Sequence, residues 1–305
     1  MAACTSTERI SVISRNRLRL GATLAALALA ATACGGDDDS DLDSGAGSGD
    51  KKPSFAADST MAKIVSKGTL TVGTKFDQPL YGEKALSGDV EGFDVEIARI
   101  IADELGVKAT FTEAVSKNRE PFIQNGTVDI VVATYTINDK RKKIVDFAGP
   151  YYKTGQSLMV RKDDDSIKSK DDLAGKKVCS VEGSTPAERI KTEAPKAALT
   201  LFDTYGKCAT AMENKQVDAV TTDEAILLGL VSKKKDAFKV VGETFSEEPY
   251  GIGLKKGDQA FRDFINETLE KIYKDGRWEA ALKKTVGTVQ DELPDPPAVD
   301  RYTAA

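Results

Sequence analysis

Four short stretches hold most of the residues able to do chemistry, and each follows an apolar run. They are Gly73-Thr74-Lys75-Phe76-Asp77-Gln78-Pro79, Thr134-Tyr135-Thr136-Ile137-Asn138-Asp139-Lys140-Arg141, Glu182-Gly183-Ser184-Thr185-Pro186 and Thr221-Thr222-Asp223. Together they offer an arginine, an aspartate, several hydroxyls and the amide ends of helices. That set suits a zwitterionic α-amino acid. A guanidinium grips a carboxylate through two parallel hydrogen bonds, helix N-terminal N–H groups reinforce it, and an aspartate takes the ammonium. Plainer readings exist for each residue. Arg141 lies in Asp139-Lys140-Arg141-Lys142-Lys143, which alone reads as a solvated helix face. Asp223, and Thr185 ahead of Pro186, also stand where helix N-caps stand.

Composition narrows the chemistry. The 305 residues include no histidine, which removes the commonest general base and metal ligand together. No metal, cofactor or enzymatic activity is expected. With a net charge of −5 and no basic run beyond Lys233-Lys234-Lys235, a nucleic-acid partner is not expected either.

The elements that must position these stretches alternate in type. Thr69 to Thr74 reads as a strand. Phe93, Ile97, Ile100, Ile101 and Leu105 recur at helical spacing and stop at Gly106. Val107 to Phe111 reads as a strand, Arg119 to Asn125 as a helix, and the apolar run Val128 to Ala133 as a strand buried on both faces. The pattern restarts with strands at Lys177 to Val181, Ala198 to Phe202 and Val217 to Thr221, and helices at Thr185 to Glu193, Thr204 to Asn214 and Glu224 to Ser232. A strand at Tyr250 to Leu254 and helices at Asp258 to Tyr273 and Arg277 to Thr285 close the pattern. This order implies parallel sheets flanked by helices, with crevices at the carboxyl ends of the strands. Asn125-Gly126-Thr127-Val128-Asp129-Ile130-Val131 echoes Asn214-Lys215-Gln216-Val217-Asp218-Ala219-Val220, which suggests two similar halves.

The N-terminus reads as an address. Arg15, Arg17 and Arg19 precede an apolar run of small residues from Leu20 to Ala33, the anatomy of a secretory signal. Its exit, Ala31-Thr32-Ala33-Cys34, resembles a bacterial lipobox with Ala31 where leucine is preferred; an ordinary small-residue cleavage site is the alternative. Residues 35–59 are too poor in large apolar groups to bury a core. The expected layout is a signal peptide at 1–33, a lipid-anchored linker at 34–59, one lobe from 60–157 plus 250–287, a second from 158–249, and an extended tail at 288–305. In an exported, oxidising setting Cys179 and Cys208 are expected to pair, two buried free thiols being the alternative.

Five motifs occur in one order: Gly92-Phe93-Asp94-Val95-Glu96-Ile97-Ala98, Asn125-Gly126-Thr127-Val128-Asp129, Thr134 through Arg141, Val145-Asp146-Phe147-Ala148-Gly149-Pro150-Tyr151-Tyr152, and Gly183-Ser184-Thr185. In this the chain resembles the polar amino acid (family 3) solute-binding proteins of ABC transporters over about residues 60–287. Asp77-Gln78-Pro79 and the placement of Cys179 and Cys208 are most similar to the actinobacterial glutamate-binding lipoproteins. The resemblance implies a type II two-lobe α/β fold, each lobe a mixed, mostly parallel sheet with flanking helices and the ligand in the cleft between them. It implies that Arg141 holds the α-carboxylate, with Thr134, Thr136, Ser184 and Thr185 adding donors, Asp223 taking the ammonium and Phe76 walling the stem. Many relatives carry an acidic residue where Lys75 stands, so a basic ligand is disfavoured; Lys75 and Arg119 would instead neutralise a γ-carboxylate. The resemblance further implies a monomer that delivers glutamate, or else aspartate or glutamine, to an importer permease from the outer membrane face, tethered through lipid on Cys34. It also implies hinge crossings near Gln156 to Arg161 and Glu247 to Gly251, with Tyr151 and Tyr152 packing nearby. An amino-acid sensor serving a membrane kinase is one alternative. A cyclohexadienyl dehydratase-like enzyme using Glu182 is another.

Overall fold

The computed structural model describes residues 54–302; the expected signal segment and Cys34 lie outside them. In chain order the elements are α1 (Thr60–Lys67), β1 (Thr69–Thr74), β2 (Asp77–Gln78), β3 (Gly82–Lys84), β4 (Val90–Glu91), α2 (Phe93–Glu104), β5 (Lys108–Glu113), α3 (Arg119–Gln124), β6 (Ile130–Val131), α4 (Asp139–Lys142) and β7 (Asp146–Thr154). There follow β8 (Gln156–Arg161), β9 (Lys177–Val181), α5 (Thr185–Glu193), β10 (Ala198–Phe202), α6 (Tyr205–Glu213), β11 (Ala219–Asp223), α7 (Glu224–Lys233), β12 (Phe238–Val241), β13 (Glu248–Leu254), α8 (Gln259–Asp275) and α9 (Arg277–Thr285).

Two five-stranded sheets result. The first runs β5-β1-β6-β13-β7 and the second β10-β9-β11-β8-β12. In each, three strands are parallel and the last two antiparallel to their neighbours. The sequence echo falls on β6 and β11, the middle strands of the two sheets. The architecture is thus α/β with mixed sheets, as expected. A small antiparallel β2-β3-β4 sheet was not expected from periodicity, because strands of two or three residues carry no alternation to read.

Single-residue Gly155 separates β7 of the first sheet from β8 of the second, and the chain returns between Val241 and Glu248. The expected crossing at Gln156 to Arg161 is therefore a regular strand, buried at Gln156 through Val160. Its apolar run reads equally as connector or core strand, and pairing with β11 and β12 decides for the strand.

Large apolar side chains fill each lobe. Phe93, Ile97 and Ile101 of α2 pack with Leu70, Val72, Tyr151, Tyr250 and Trp278 in the first. In the second, Met159, Val181, Tyr205, Ile226 and Phe238 surround Cys179 and Cys208. Those two cysteines are bonded, with Cα atoms 5.6 Å apart, stapling α6 to β9.

Both ends pack on the first lobe. Phe55, placed in the linker, packs edge-on against Phe264 at 5.6 Å between ring centroids, and Ser59 caps α1. The tail is a docked strap. Leu293 and Val299 pack on the first core, and Asp300 donates from its backbone N to Gly149 O at 2.8 Å. Tyr302 accepts from Phe147 N at 2.8 Å beneath the cations of Lys142 and Arg262. Pro294, Pro296 and Pro297 bar a helix there, but isolated apolar residues in such a segment still find the core.

Candidate functional site

At the carboxyl end of β6 the chain turns sharply, with Thr134 at φ +44°. For a β-branched residue that is a strained backbone, held here from three sides. Its N donates to Asp94 Oδ2 at 2.8 Å, its O accepts from Arg119 Nη1 at 3.3 Å, and its hydroxyl donates to Gln78 Oε1 at 2.9 Å. Asn138 then caps α4 by accepting from Arg141 N, which aims the Arg141 side chain back into the cleft. The solvated-face reading fails for Arg141, which is buried.

Two guanidiniums lie over one ring, Arg119 at 4.3 Å and Arg141 at 4.9 Å from the Tyr135 centroid. Arg141 donates to Thr136 O at 2.7 Å and across the cleft to Gly183 O at 3.1 Å, with Nε 3.3 Å from Glu120 Oε1. Burial, with Arg119 beside it, lowers its pKa to about 10. Arg119 is anchored on the carbonyls of Ser116 and Ala133 and has no carboxylate within 4.0 Å among the described residues. Lys75 is buried too and donates to Ser116 Oγ at 2.8 Å, again with no carboxylate partner among the described residues. Burial, then the Arg119 charge, lowers its pKa to about 7.

The second lobe supplies the opposite wall. Gly183, at φ +80°, brings its backbone against Lys117; a Cβ would fall 2.8 Å from the Lys117 backbone. Only glycine permits that approach, and it is what sets Gly183 O before both arginines. Thr185 Oγ1 lies 3.3 Å from Thr136 Oγ1 and donates to Glu248 Oε2 at 2.8 Å. Asp223 holds the N-cap position of α7, but its side chain makes no capping bond, so its carboxylate is not spent on the helix. Its Oδ2 accepts from Tyr250 OH at 2.8 Å, and Oδ1 has no partner among the described residues. Burial, and Glu248 nearby, raise its pKa to about 7.

The structure thus brings Lys75, Arg119, Thr134, Thr136, Arg141, Thr185 and Asp223 to one buried locus between the lobes. Two residues remain. Ser184 spends its hydroxyl on α5, accepting from Ala187 N and donating to Val181 O. Phe76 is half-buried with the Lys84 ammonium 5.4 Å from its ring, on the β3 side. Tyr151 packs among aromatics and donates to Asp94 at 2.6 Å. Glu182 is exposed and paired with Lys117 at 2.7 Å. A crevice of about 770 Å³ opens beside Arg141 and Thr185 but is not lined by Lys75, Asp94 or Asp223.

Sequence reasoning missed three contributors. Asp94, whose pKa burial raises to about 7, sat in a noted motif but reads as an ordinary acid of a helix first turn. Gln78 and Asp77 sat in a noted tripeptide without assigned roles. Asp77 Oδ2 accepts from Tyr205 N at 2.8 Å and Gly206 N at 3.3 Å, so a carboxylate of the first lobe caps a helix of the second. Beside it Gly229 of α7 meets Pro79 O, where a Cβ would come within 2.3 Å.

Two mixed α/β lobes, with facing strand ends and an arginine and an aspartate on opposite walls, are the architecture of type II amino-acid-binding proteins. The chain is similar to the solved structure of an ancestral arginine-binding protein bound to glutamine, 41% identical, with a TM-score of 0.69 over 72% of this chain and 98% of that one. Residues 70–288 match the model of the bacterial extracellular solute-binding proteins, family 3, and the chain belongs to that family. It is 44% identical over 232 residues to the ABC transporter glutamine-binding protein GlnH of Bacillus subtilis, covering 74% of this chain and 84% of the relative. To the glutamate-binding protein GluB of Corynebacterium glutamicum it is 42% identical over 247 residues, 77% of this chain and 83% of the relative.

Proposed function

We propose that this solute-binding protein captures glutamate between its lobes and delivers it to an ABC importer, tethered outside the cell membrane through lipid on Cys34. The reading rests chiefly on one observation: Lys75 and Arg119 are buried cations without carboxylate partners among the described residues. Buried charges require compensation, and a ligand with two carboxylates and one ammonium supplies it. Arg141 takes the α-carboxylate with help from Thr136 and Thr185, Asp223 takes the ammonium on its free Oδ1, and Lys75 with Arg119 faces the γ-carboxylate. Each lobe then holds half of the ligand, so binding and closure are one event. Glutamine, which the first relative is named for, is the second reading, and the carboxylate–amide choice rests on those two cations.

No catalytic role is assigned to the site. Glu182, the carboxylate an enzyme reading would use, is exposed and neutralised by Lys117.

Calorimetry against glutamate, aspartate, glutamine, asparagine, lysine and arginine tests the reading. Glutamate should bind tightest, and Arg119→Ala should weaken glutamate roughly 10–100-fold beyond glutamine, the value of a hydrogen bond to a charged group. Equal losses for both ligands, or tighter binding of lysine or arginine, would refute it. Palmitate labelling that survives Cys34→Ala would remove the tether.

A further inference from the structure

Gln78 is wholly buried, and only half of its amide is used. Its Oε1 accepts from the Thr134 hydroxyl, while Nε2 has no hydrogen-bond partner among the described residues. A buried donor without an acceptor forfeits its hydration with nothing in return, so such a group in a folded protein calls for a reason.

Its surroundings supply one. Asp77 on one side reaches α6 of the second lobe, and Pro79 on the other meets Gly229 of α7. Gln78 therefore stands where the lobes join, on the same wall as Lys75. Its partner Thr134 is held by Asp94 and Arg119, and keeps a strained left-handed backbone conformation. The Thr134 hydroxyl is thus a fixed anchor for one arm of the amide, leaving the other directed away from it.

We propose that Gln78 reads the far end of the ligand's side chain, selecting amino acids that end in a carboxylate or a carboxamide. The inference rests on the capture of an amino acid argued above and names the group that reads its terminus. A threonine hydroxyl both donates and accepts, so the Gln78 amide has two seatings related by a half-turn. With Oε1 on Thr134, Nε2 faces the ligand and donates to a carboxylate or carbonyl oxygen. With Nε2 on Thr134, Oε1 faces it and accepts from a carboxamide N–H. Lys75 and Arg119 add charge to this end of the cleft, and Gln78 adds direction.

The test is calorimetry on the purified protein at pH 7 with glutamate, glutamine and norvaline, the last having the stem without the polar end. Gln78→Met should lose roughly 10–100-fold for glutamate and glutamine and stay within about 3-fold for norvaline. Gln78→Glu should lose glutamate by at least as much, through like-charge repulsion, while keeping glutamine within about 5-fold because a carboxylate still accepts from a carboxamide. Thr134→Val, which removes the anchor, should narrow the same preference and serves if a Gln78 variant fails to fold. Losses in Gln78→Met that are equal across the three ligands, or absent, overturn the proposal while leaving amino-acid capture intact. If the unaltered protein binds none of the three, the capture reading falls and this inference falls with it.

Discussion

Replacing Asp77 by alanine should weaken every ligand by the same factor without unfolding the protein. Asp77 Oδ2 accepts from Tyr205 N and Gly206 N, the first two amides of α6, across the interlobe boundary. Those amides have no intrahelical acceptor, and α6 directs the positive end of its dipole at the carboxylate. A hydrogen bond to a charged group contributes about 1.5–3 kcal/mol. Water replaces the carboxylate when the lobes part, and Asp77 is only partly buried, so about 1–2 kcal/mol is a fair net value. That free energy stabilises only the closed form, so it enters ligand affinity directly, as a loss of roughly 5–30-fold. Calorimetry with glutamate and glutamine reads the loss, and stopped-flow dissociation should locate it mainly in a faster off-rate. Asp77→Asn, which keeps an acceptor but no charge, should fall between. Because the contact joins lobes that each have their own core, the melting temperature without ligand should move by no more than about 2–4 °C. A loss confined to one ligand would mean that Asp77 touches the ligand rather than latching the lobes. No loss at all would mean that the contact contributes nothing to closure.

Affinity for glutamate should peak near pH 7. Asp223, with Glu248, Tyr250, Arg119 and Arg141 around it, has its pKa raised to about 7 by burial; the ligand ammonium favours its ionised form, so affinity falls as pH drops below that value. Lys75, facing Arg119, Asp77, Arg141 and Glu113, has its pKa lowered to about 7; a γ-carboxylate favours its charged form, so affinity falls as pH rises above it. Each limb has a limiting slope of about tenfold per pH unit, and Asp223→Asn should abolish the acid limb in a calorimetric pH series, whereas a limb unchanged in that variant would exclude Asp223 as its source. Reducing the Cys179–Cys208 bond, which spans 29 residues, should cost about 3–4 kcal/mol in the chain-entropy account. That lowers the melting temperature by roughly 6–16 °C in a scan with reductant, and an unchanged scan would show that packing alone holds α6 to β9.

Much of the fold was legible because its information is local. The helices Phe93–Glu104, Thr185–Glu193 and Arg277–Thr285 and the strands Thr69–Thr74 and Lys177–Val181 announce themselves by period, caps and breakers. The strands of the crossings were less legible. Continuous apolar stretches such as Gln156–Arg161 take their state from partners distant in sequence, here β11 and β12.

The chemistry divides along the same line. Residue types and the order of the motifs pointed to Arg141 and Asp223 as the candidates to meet an α-amino acid, because a zwitterion needs one charge of each sign and the motifs place them at strand ends. Only the tertiary structure decided which polar groups are free to meet it. Among the described residues, Ser184 turns inward to cap α5, Asp223 makes no side-chain capping bond and keeps one oxygen unpartnered, and Lys75 and Arg119 are buried beside each other without a carboxylate. Hydrogen-bond satisfaction and charge compensation are properties of three-dimensional neighbourhoods, and those neighbourhoods form here between segments far apart in the chain, as between Asp77 and Tyr205, 128 residues apart.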